Sequence, residues 1–467
     1  MFICSVDLKI REEPMDAIRK LAEFAWETGF SHIPEAVLEH ERLILLDTLG
    51  VALAGAGAPG CGEVMQLMKD YGGTPESSFF VFEGKVPAKH AALVNAMCIQ
   101  ALDYDDSHDD GCCHTHCACL PPALAMAERE KGITGRDILE ALILAVEVES
   151  RIGAATLSSL SFTRTGTLGY FGAAVAAAKI MRLDFPQFLD ALGIAYAQVS
   201  TTLQSNMDGA LVKRMHPGFA AQAGVFSCQL AQRGITGARN ILEGPYGYFQ
   251  LYERGAYNPE PLTRGLGTDW EIMRVGLKNY PCARDMHAAV DAALELCREG
   301  LDTSRIRDIE VSMPDSPFRV SGRPYDSMTG HVVVEALLNG PYCIAAAMLR
   351  GGLGLEDFTE PRIHDPAVAE LARKIHVVRD DSVPQKQKMP MTVRVTLDDG
   401  TCREKTCKVL KGHYLNMLSQ SETEAKFRDC ARHAPFPLDE DRQNAIIADV
   451  RNFEHITPEK LFRDMRP

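Results

Sequence analysis

The chain is organised around one stretch, Ala101-Leu-Asp-Tyr-Asp-Asp-Ser-His-Asp-Asp-Gly-Cys-Cys-His-Thr-His-Cys-Ala-Cys-Leu-Pro-Pro122. It carries acids, histidines and thiols between two apolar, alanine-rich segments. Polar groups that lie beside buried helices are costly to desolvate unless they meet partners or a ligand. The stretch therefore predicts a polar connection between two buried helices, and it is the first candidate for a functional site.

Helices are predicted on both sides of this stretch. Residues 90–102 are apolar enough for a helix that is buried all round. Pro121 and Pro122 suit a first helical turn, because proline lacks a donor that this turn leaves unused. We therefore expect a helix from there to about residue 131. Further upstream, residues 35–58 carry apolar side chains at three- and four-residue spacings.

More helical segments follow as far as about residue 254. Thr134 and Asp137 form a capping-box pattern before residues 138–152, and Asp184 is a cap for a helix through residue 199. Residues 169–181 and 217–233 are also helical in pattern. So many apolar helices with short connections predict a large all-helical domain.

The pattern changes after Trp270. Apolar and polar residues alternate over 308–313 and 393–397, and Asp398-Asp-Gly-Thr401 is a hairpin turn after the second run. Helical stretches at 286–298, 334–349 and 365–375 are interleaved with these strands. The predicted fold is mainly α, with a large all-helical domain at 1–272, completed by 411–467, and a smaller α+β lid domain at 273–410.

Composition limits the classes of partner. The net charge of -14 argues against nucleic acid and against a membrane surface, and an anionic substrate would need a local cationic pocket. Residues 1–16 have no apolar core typical of a secretory signal, and no apolar run approaches membrane-spanning length. We therefore expect a cytoplasmic protein. Most of the 14 cysteines are expected to pack as small buried hydrophobic residues.

The central stretch is the first of four segments that could carry chemistry. Asp103 lies where a helix is predicted to end, and His114 follows in the loop. A carboxylate beside an imidazole is suited to acid/base work, because it fixes the tautomer of the ring and supports its charged form. The cysteines and histidines of the same loop lack paired metal-ligand spacing, so we expect no metal.

The other three segments contain cations. Thr163, Arg164 and Thr165 lie in a hydroxyl- and glycine-rich loop that leads into a helix. Such a loop would suit a carboxylate, but a glycine turn needed only for close packing is an equally supported interpretation. Residues 213–218, with Lys213 and His216, could hold an anion or be a solvated helix start. Residues 278–287 lie at the junction with the lid. A phosphate-binding glycine loop and a Gly-x-Ser-x-Gly elbow are absent from the sequence.

Taken together, these segments resemble the MmgE/PrpD family, which includes 2-methylcitrate dehydratase, cis-aconitate decarboxylase and iminodisuccinate epimerase. The resemblance covers nearly the whole chain. Six motifs in the right order carry it, at residues 45–50, 102–107 with His114 before Leu120-Pro121, 165–174, 213–220, 280–287 and 425–427.

The resemblance implies a helical domain with a lid, a homodimer, and a cofactor-free site between the two domains. It assigns catalytic positions to Asp103, His114, Lys213 and His287, and a substrate-binding hydroxyl to Ser107. From the cationic segments we add further expected substrate-binding residues, which are Thr163, Arg164, Thr165, His216 and Arg284.

The sequence departs from the family pattern at two places. Thr163 stands where many relatives carry a histidine, and threonine can donate a hydrogen bond but cannot exchange protons near neutral pH. Residues 335–342 depart from the usual lid pattern. The reaction here could therefore differ from that of the lyases.

The predicted chemistry is proton abstraction next to a carboxylate of a small anionic substrate. Lys213, with Arg164 or Arg284, would hold carboxylates, while His114 and His287 exchange protons on either side of the reacting carbon and Asp103 supports His114. We expect a lyase, either a dehydratase or a decarboxylase, that acts on a di- or tricarboxylate. An epimerase of an amino or imino dicarboxylate such as iminodisuccinate is the close alternative. A non-catalytic anion-binding protein and a zinc hydrolase are more distant ones.

Overall fold

The computed structural model describes residues 16–384 and 387–466, and its architecture is mainly helical with small sheets. This confirms the predicted fold class. The expectation about a signal sequence concerns residues that lie almost wholly outside the described part of the chain. Among the helices that are described, none is both long and apolar enough to cross a bilayer.

Long helices joined by short connections form the first part of the chain. They are Ala17–Glu27, Glu35–Gly55, Cys61–Tyr71, Ala88–Gln100, His116–Arg129, Gly135–Ala155, Arg164–Ile180, Phe185–Tyr196 and His216–Gln232, with short helices at Gln204–Met207, Tyr248–Leu251 and Glu260–Thr263. Thr134 and Asp184 cap the helices that follow them, as their sequence patterns predict.

The helix Arg164–Ile180 lies at the centre and packs against Gly135–Ala155 and His216–Gln232. Its small residues permit the close approach. A β-carbon added at Gly224 of the neighbouring helix would lie 2.5 Å from Cβ of Ala173, which is too close. The alanine- and glycine-rich composition of these helices is thus a requirement of their packing.

One predicted helix start is wrong. The helix begins at His116 rather than at Pro121, and both prolines lie inside it. The carboxylate of Asp106 accepts hydrogen bonds from the backbone N–H groups of Thr115 (2.9 Å) and His116 (3.1 Å). This side chain satisfies the free donors of the first turn, so the helix can begin one turn earlier than the prolines suggest.

The α+β part contains a four-stranded mixed sheet. Its strand order is Ile375–Arg379, Ile306–Met313, Met391–Leu397, Cys402–Cys407, and the first pair is parallel while the other pairs are antiparallel. Val311 lies opposite Val377 on one side and Val393 on the other. The helices of this part are His287–Arg298, Asp315–Ser321, Val332–Ala336, Gly340–Arg350, Glu360–Ile363 and Pro366–Ala372.

The last helices, Gln420–Arg432, Glu440–Arg451 and Pro458–Met465, return to the helical part, where Gln420–Arg432 packs against Glu35–Gly55. Most buried apolar side chains from 17–277 and 418–465 form one cluster, and those from 280–410 form another. The exact domain limits stay a prediction.

Two short antiparallel ladders interrupt the helical part, which is therefore not purely helical. Ser77–Ser78 pairs with Lys85–Val86, and Ser107–His108 pairs with Val275–Gly276. The second ladder ties the central acidic stretch to the segment that leads into the α+β part.

Candidate active site

One cleft is lined by residues of both parts of the fold. Of the residues singled out in the sequence, seven line it: Asp103, His114, Thr163, Arg164, Thr165, Lys213 and Arg284. They come from the end of one helix, a loop, the starts of two more helices and the junction with the α+β part. Segments far apart in the sequence therefore form one cleft.

His114 is held by one side of its ring. Nδ1 lies 2.6 Å from the backbone oxygen of Asp106, and because a carbonyl oxygen only accepts, Nδ1 carries the proton. The backbone N–H of His114 donates to Oγ1 of Thr165 at 3.0 Å. Burial, together with the ammonium of Lys278, lowers the pKa of His114 below its usual value. The ring is thus neutral near pH 7, and its Nε2 has no hydrogen-bond partner among the described residues.

Asp103 pairs with lysines rather than with His114. It adopts a left-handed backbone conformation (φ 50°) just after a helix, and its carboxylate accepts a hydrogen bond from Nζ of Lys213. Nζ of Lys278 donates to the backbone oxygen of Asp103 at 2.8 Å. Burial alone would raise the pKa of the Asp103 carboxyl, but the two ammonium groups outweigh burial and hold this pKa well below its usual range. The carboxylate nearest to His114 is that of Asp105, 4.0 Å from Nδ1.

The two arginines of the cleft already have carboxylate partners. Arg164 donates from Nε (3.0 Å) and Nη2 (2.7 Å) to Glu253, which leaves Nη1 for other partners. Arg284 donates from Nε (3.1 Å) and Nη2 (2.7 Å) to Asp109 and also bonds two backbone oxygens. The expectation that Arg284 holds the substrate is therefore weakened, because a substrate would have to displace a buried ion pair.

Three of the expected site residues do not line the cleft. Ser107 is buried and donates to Asp109 at 3.3 Å. Nε2 of His216 lies 3.1 Å from Oγ of Ser205, and burial beside Lys213 lowers the pKa of His216 to about 4.

His287 is also fully buried, and its ring packs edge-on against Tyr280. Burial, together with Arg284 and Lys278, holds the pKa of His287 well below its usual value. His287 is not among the residues that line the cleft with His114. A part for His287 in the reaction stays a prediction.

The neighbouring histidines of the central stretch are structural. Nε2 of His108 lies 3.2 Å from Glu271, and its Nδ1 accepts from the backbone N–H of Gly111. His116 lies between Glu41 (3.1 Å) and Asp106 (3.3 Å). Burial alone would lower the pKa of His116, but the two carboxylates raise this pKa to about 10. The ring is therefore a buried cation.

Sequence reasoning missed several residues that line the cleft, namely Gln100, Cys112, Asn206, Asp285 and Lys388. Oε1 of Gln100 and Oδ1 of Asn206 are buried, and neither has a hydrogen-bond partner in the part of the chain that the structure describes. Lys388 precedes a strand in a polar stretch that the sequence presents as a solvated loop. Spacing alone contains no signal that this ammonium reaches the cleft.

The positions of the acidic and imidazole side chains show which of them could bind a metal ion together. Among the described residues, Asp103, Asp105 and His114 form the one group whose ligand atoms lie within 4.8 Å of one another. The ammonium groups of Lys213 and Lys278 already neutralise the aspartates of this group. The cysteines of the loop do not belong to the group, so the zinc-hydrolase alternative loses the donor set on which it rested.

Another cavity has mostly apolar walls that include Leu102, Leu337, Leu355 and Phe358. None of the catalytic positions expected from the sequence lines it. We therefore place the candidate active site in the cleft that contains His114.

The fold and the cleft define a class: mainly helical proteins with a smaller α+β part, whose acid/base and ammonium groups meet in one cleft. Two family models match this chain, the MmgE/PrpD N-terminal domain over residues 19–260 and the MmgE/PrpD C-terminal domain over residues 280–452. The chain belongs to the MmgE/PrpD family.

Individual relatives agree with this assignment. Cis-aconitate decarboxylase of Homo sapiens is 27% identical over 442 residues, which cover 91% of this chain and 89% of that protein. The cis-aconitate decarboxylase-like protein oryM of Aspergillus oryzae is 27% identical, with 93% and 94% covered. A probable 2-methylcitrate dehydratase of Saccharomyces cerevisiae is 22% identical, with 85% and 81% covered. Family and names support an enzyme of the dehydratase or decarboxylase type.

Proposed function

We propose that this protein is a cofactor-free lyase that acts on a small di- or tricarboxylate, and that the reaction is a decarboxylation. The observation that carries the proposal is the cleft itself. It contains one neutral imidazole, His114, whose Nε2 has no partner among the described residues, beside the ammonium groups of Lys213 and Lys388. This combination suits proton transfer at a carbon next to bound carboxylates.

In the proposed reaction, the bond from the substrate carbon to one carboxylate breaks and carbon dioxide leaves. The electron pair stays on the carbon skeleton, delocalised into a remaining unsaturated carboxylate. His114, protonated from solvent when the anionic substrate binds, transfers its proton to carbon. Lys213 and Nη1 of Arg164 stabilise the negative charge that develops on the carboxylate oxygens.

The single imidazole of the cleft favours decarboxylation over dehydration, because dehydration would have to recruit a lysine as its second proton-transfer group. Dehydration needs a base for the carbon-bound proton and an acid for the leaving hydroxyl, whereas decarboxylation needs one proton donor. Among the described residues that line the cleft, His114 is the one imidazole, and Thr163 cannot exchange protons near pH 7.

Epimerisation is the second candidate, and Thr163 motivates it. An epimerase returns a proton to the opposite face of the carbon, so it needs a proton-transfer group besides His114. With threonine at position 163, that group must differ from the histidine that many relatives carry there. Lys213 or Lys388 would then have to serve as the second proton-transfer group. Iminodisuccinate is the substrate that tests this candidate.

The test is to incubate the purified protein in deuterated water with cis-aconitate, 2-methylcitrate or iminodisuccinate, and to follow products by NMR together with carbon dioxide release. We expect carbon dioxide and one carbon-bound deuterium per turnover with cis-aconitate. His114→Gln should abolish this signal, while the exposed His364→Gln serves as the matched control.

Other outcomes are equally informative. A new alkene from 2-methylcitrate without carbon dioxide would replace decarboxylation by dehydration. Deuterium exchange with loss of optical activity in iminodisuccinate would establish the epimerase. A protein that binds these anions without changing any of them would refute the enzymatic proposal.

A further inference from the structure

Lys388 reaches the cleft from the α+β part of the fold. It lies in the connection between the strands Ile375–Arg379 and Met391–Leu397, and its side chain lines the same cleft as His114 and Lys213. Only 8% of the residue is exposed. A lysine is rarely buried to this extent without a partner.

The ammonium of Lys388 has no hydrogen bond to any described residue. Its nearest carboxylate oxygens are Oδ1 of Asp109 at 3.8 Å and Oδ1 of Asp285 at 3.9 Å, both beyond hydrogen-bond distance. Asp109 is engaged by Arg284, while Oδ1 of Asp285 is buried and has no hydrogen-bond partner within the described ranges 16–384 and 387–466. The three N–H donors of a buried ammonium group are costly to leave without acceptors, unless a ligand supplies an acceptor.

Other cations of the cleft are more fully occupied. Lys213 is bound to Asp103, Arg284 to Asp109, and Arg164 keeps one free nitrogen beside its pair with Glu253. Burial alone would lower the pKa of Lys388, but its acidic surroundings, Asp285 foremost, raise this pKa, so the side chain is charged. Among the described residues, none accepts a hydrogen bond from this cation.

The position of Lys388 sets the geometry of a ligand. His114 and Lys213 belong to the helical part, whereas Lys388 belongs to the α+β part. An anion with two carboxylates on a carbon skeleton can offer a separate carboxylate to each set of cations. A monocarboxylate has one group to share between the two sets.

We propose that Lys388 is a substrate-binding residue that holds a carboxylate remote from the one at Lys213, and so makes the cleft selective for polycarboxylates over monocarboxylates. This inference rests on the proposed function, because it concerns the substrate of the same cleft. It adds a binding group and a substrate requirement to that function.

The experiment measures binding rather than turnover, by titration calorimetry at constant ionic strength. The probe is tricarballylate, which has three carboxylates but neither a double bond nor a hydroxyl group to react. Wild type should bind tricarballylate at least ~10-fold more tightly than butyrate, its monocarboxylate counterpart. Lys388→Met should bind tricarballylate about 10-fold or more weakly, as expected for a lost charged hydrogen bond.

Two further variants separate binding from structure. Lys388→Arg keeps the charge and should recover most of the affinity, and it keeps the test open if Lys388→Met fails to fold. Lys408→Met, at an exposed lysine of the same part, should bind like wild type. A crystal structure with tricarballylate should place a carboxylate oxygen within about 3 Å of Nζ of Lys388.

Several results would overturn the inference. They are equal affinity of wild type and a folded Lys388→Met for tricarballylate, equal affinity of wild type for tricarballylate and butyrate, or no recovery in Lys388→Arg. Since tricarballylate does not react, failure of the protein to convert cis-aconitate would count against the proposed function and leave the binding result readable.

Discussion

Three histidines lie within nine residues of the central stretch, and their hydrogen bonds give them different capacities. Both ring nitrogens of His108 and of His116 are engaged, whereas only Nδ1 of His114 is. A ring with both nitrogens bound cannot reach a substrate without breaking a buried contact. His114 is therefore the residue of the three that can exchange a proton with a ligand.

Replacement of His114 tests this capacity. We expect His114→Gln to lower kcat with cis-aconitate roughly 100-fold or more, as is typical when a general acid or base is lost. The amide can still donate a hydrogen bond, so the thermal midpoint and tricarballylate binding should stay near the wild-type values. Unchanged kcat would show that another group transfers the proton.

The pH dependence of kcat/KM tells how His114 acts. Its pKa lies below the usual 6.5, so the protonated form of the free enzyme is lost as pH rises through a value below 6.5. Decarboxylation needs this form, and kcat/KM should therefore fall as pH is raised from about 5.5 to 8. Activity that instead rises to a plateau above pH 6.5 would identify His114 as a base and favour dehydration or epimerisation.

Single residues were predictable where a motif carried them. His114, Lys213 and Arg164 stand in quotable motifs, and the structure brings them to one cleft. Lys388 could not be found, because what makes it notable is its burial at the junction of two parts of the fold. His287 stood in a motif as well, but it is fully buried and does not line the cleft.

At the scale of elements, one side chain sets the start of the helix His116–Arg129. Asp106 accepts from the N–H groups of Thr115 and His116 and from the hydroxyl of Thr115, and it pairs with the imidazolium of His116. The acidic segment thus positions this helix, and with it the backbone that carries His114.

Asp106→Asn should therefore destabilise the protein by about 3 kcal/mol, because it leaves a buried cation with one carboxylate fewer. Urea unfolding followed by circular dichroism measures this. Asp110→Asn, at an exposed aspartate four residues further along, is the control and should change stability by less than about 0.5 kcal/mol. An equal loss of stability in both variants would show that Asp106 has no particular role in stabilising the helix start.

Elements with local signals were predicted well. The caps Thr134 and Asp184 and the strands Ile306–Met313 and Met391–Leu397 are confirmed, because capping and alternation depend on neighbours in sequence. The start of the helix His116–Arg129 was missed because its cap, Asp106, lies ten residues before its first residue. Such a cap follows no local rule.

At the scale of the whole molecule, Lys426 joins distant segments. Its Nζ donates to Asp47 (3.0 Å) and to the backbone oxygens of Tyr104 (2.8 Å) and Lys278 (2.9 Å). It also lies 3.8 Å from the centroid of the Tyr104 ring. The helix Gln420–Arg432 is thereby tied to Tyr104, which follows Asp103 in the chain, and to Lys278, whose ammonium lies beside the carboxylate of Asp103.

We expect Lys426→Met to lower the free energy of unfolding by about 3 kcal/mol, since it leaves three buried acceptors without their donor. It should also lower kcat/KM, because Lys278 loses its fixed position. Urea unfolding and steady-state assays measure the two effects, and the exposed Lys20→Met serves as control. Full activity in a destabilised Lys426→Met protein would contradict the link to the cleft.

The overall class of the fold followed from periodicity, since apolar spacing changes from helical to alternating near residue 270 and the structure changes with it. The return of the last helices to the first part was only a suggestion of the sequence. It depends on contacts such as Lys426 with Asp47, which join residues 379 positions apart.

The tie made by Lys426 has a consequence for synthesis of the protein. A nascent chain that has emerged only as far as the sheet of the α+β part already contains His114, Lys213 and Lys388, but not the ammonium that anchors Lys278. As long as the last helices are still inside the ribosome, the reaction chamber of such a chain should not yet be rigidly formed. Catalytic competence should therefore appear only when synthesis is complete and these helices have packed.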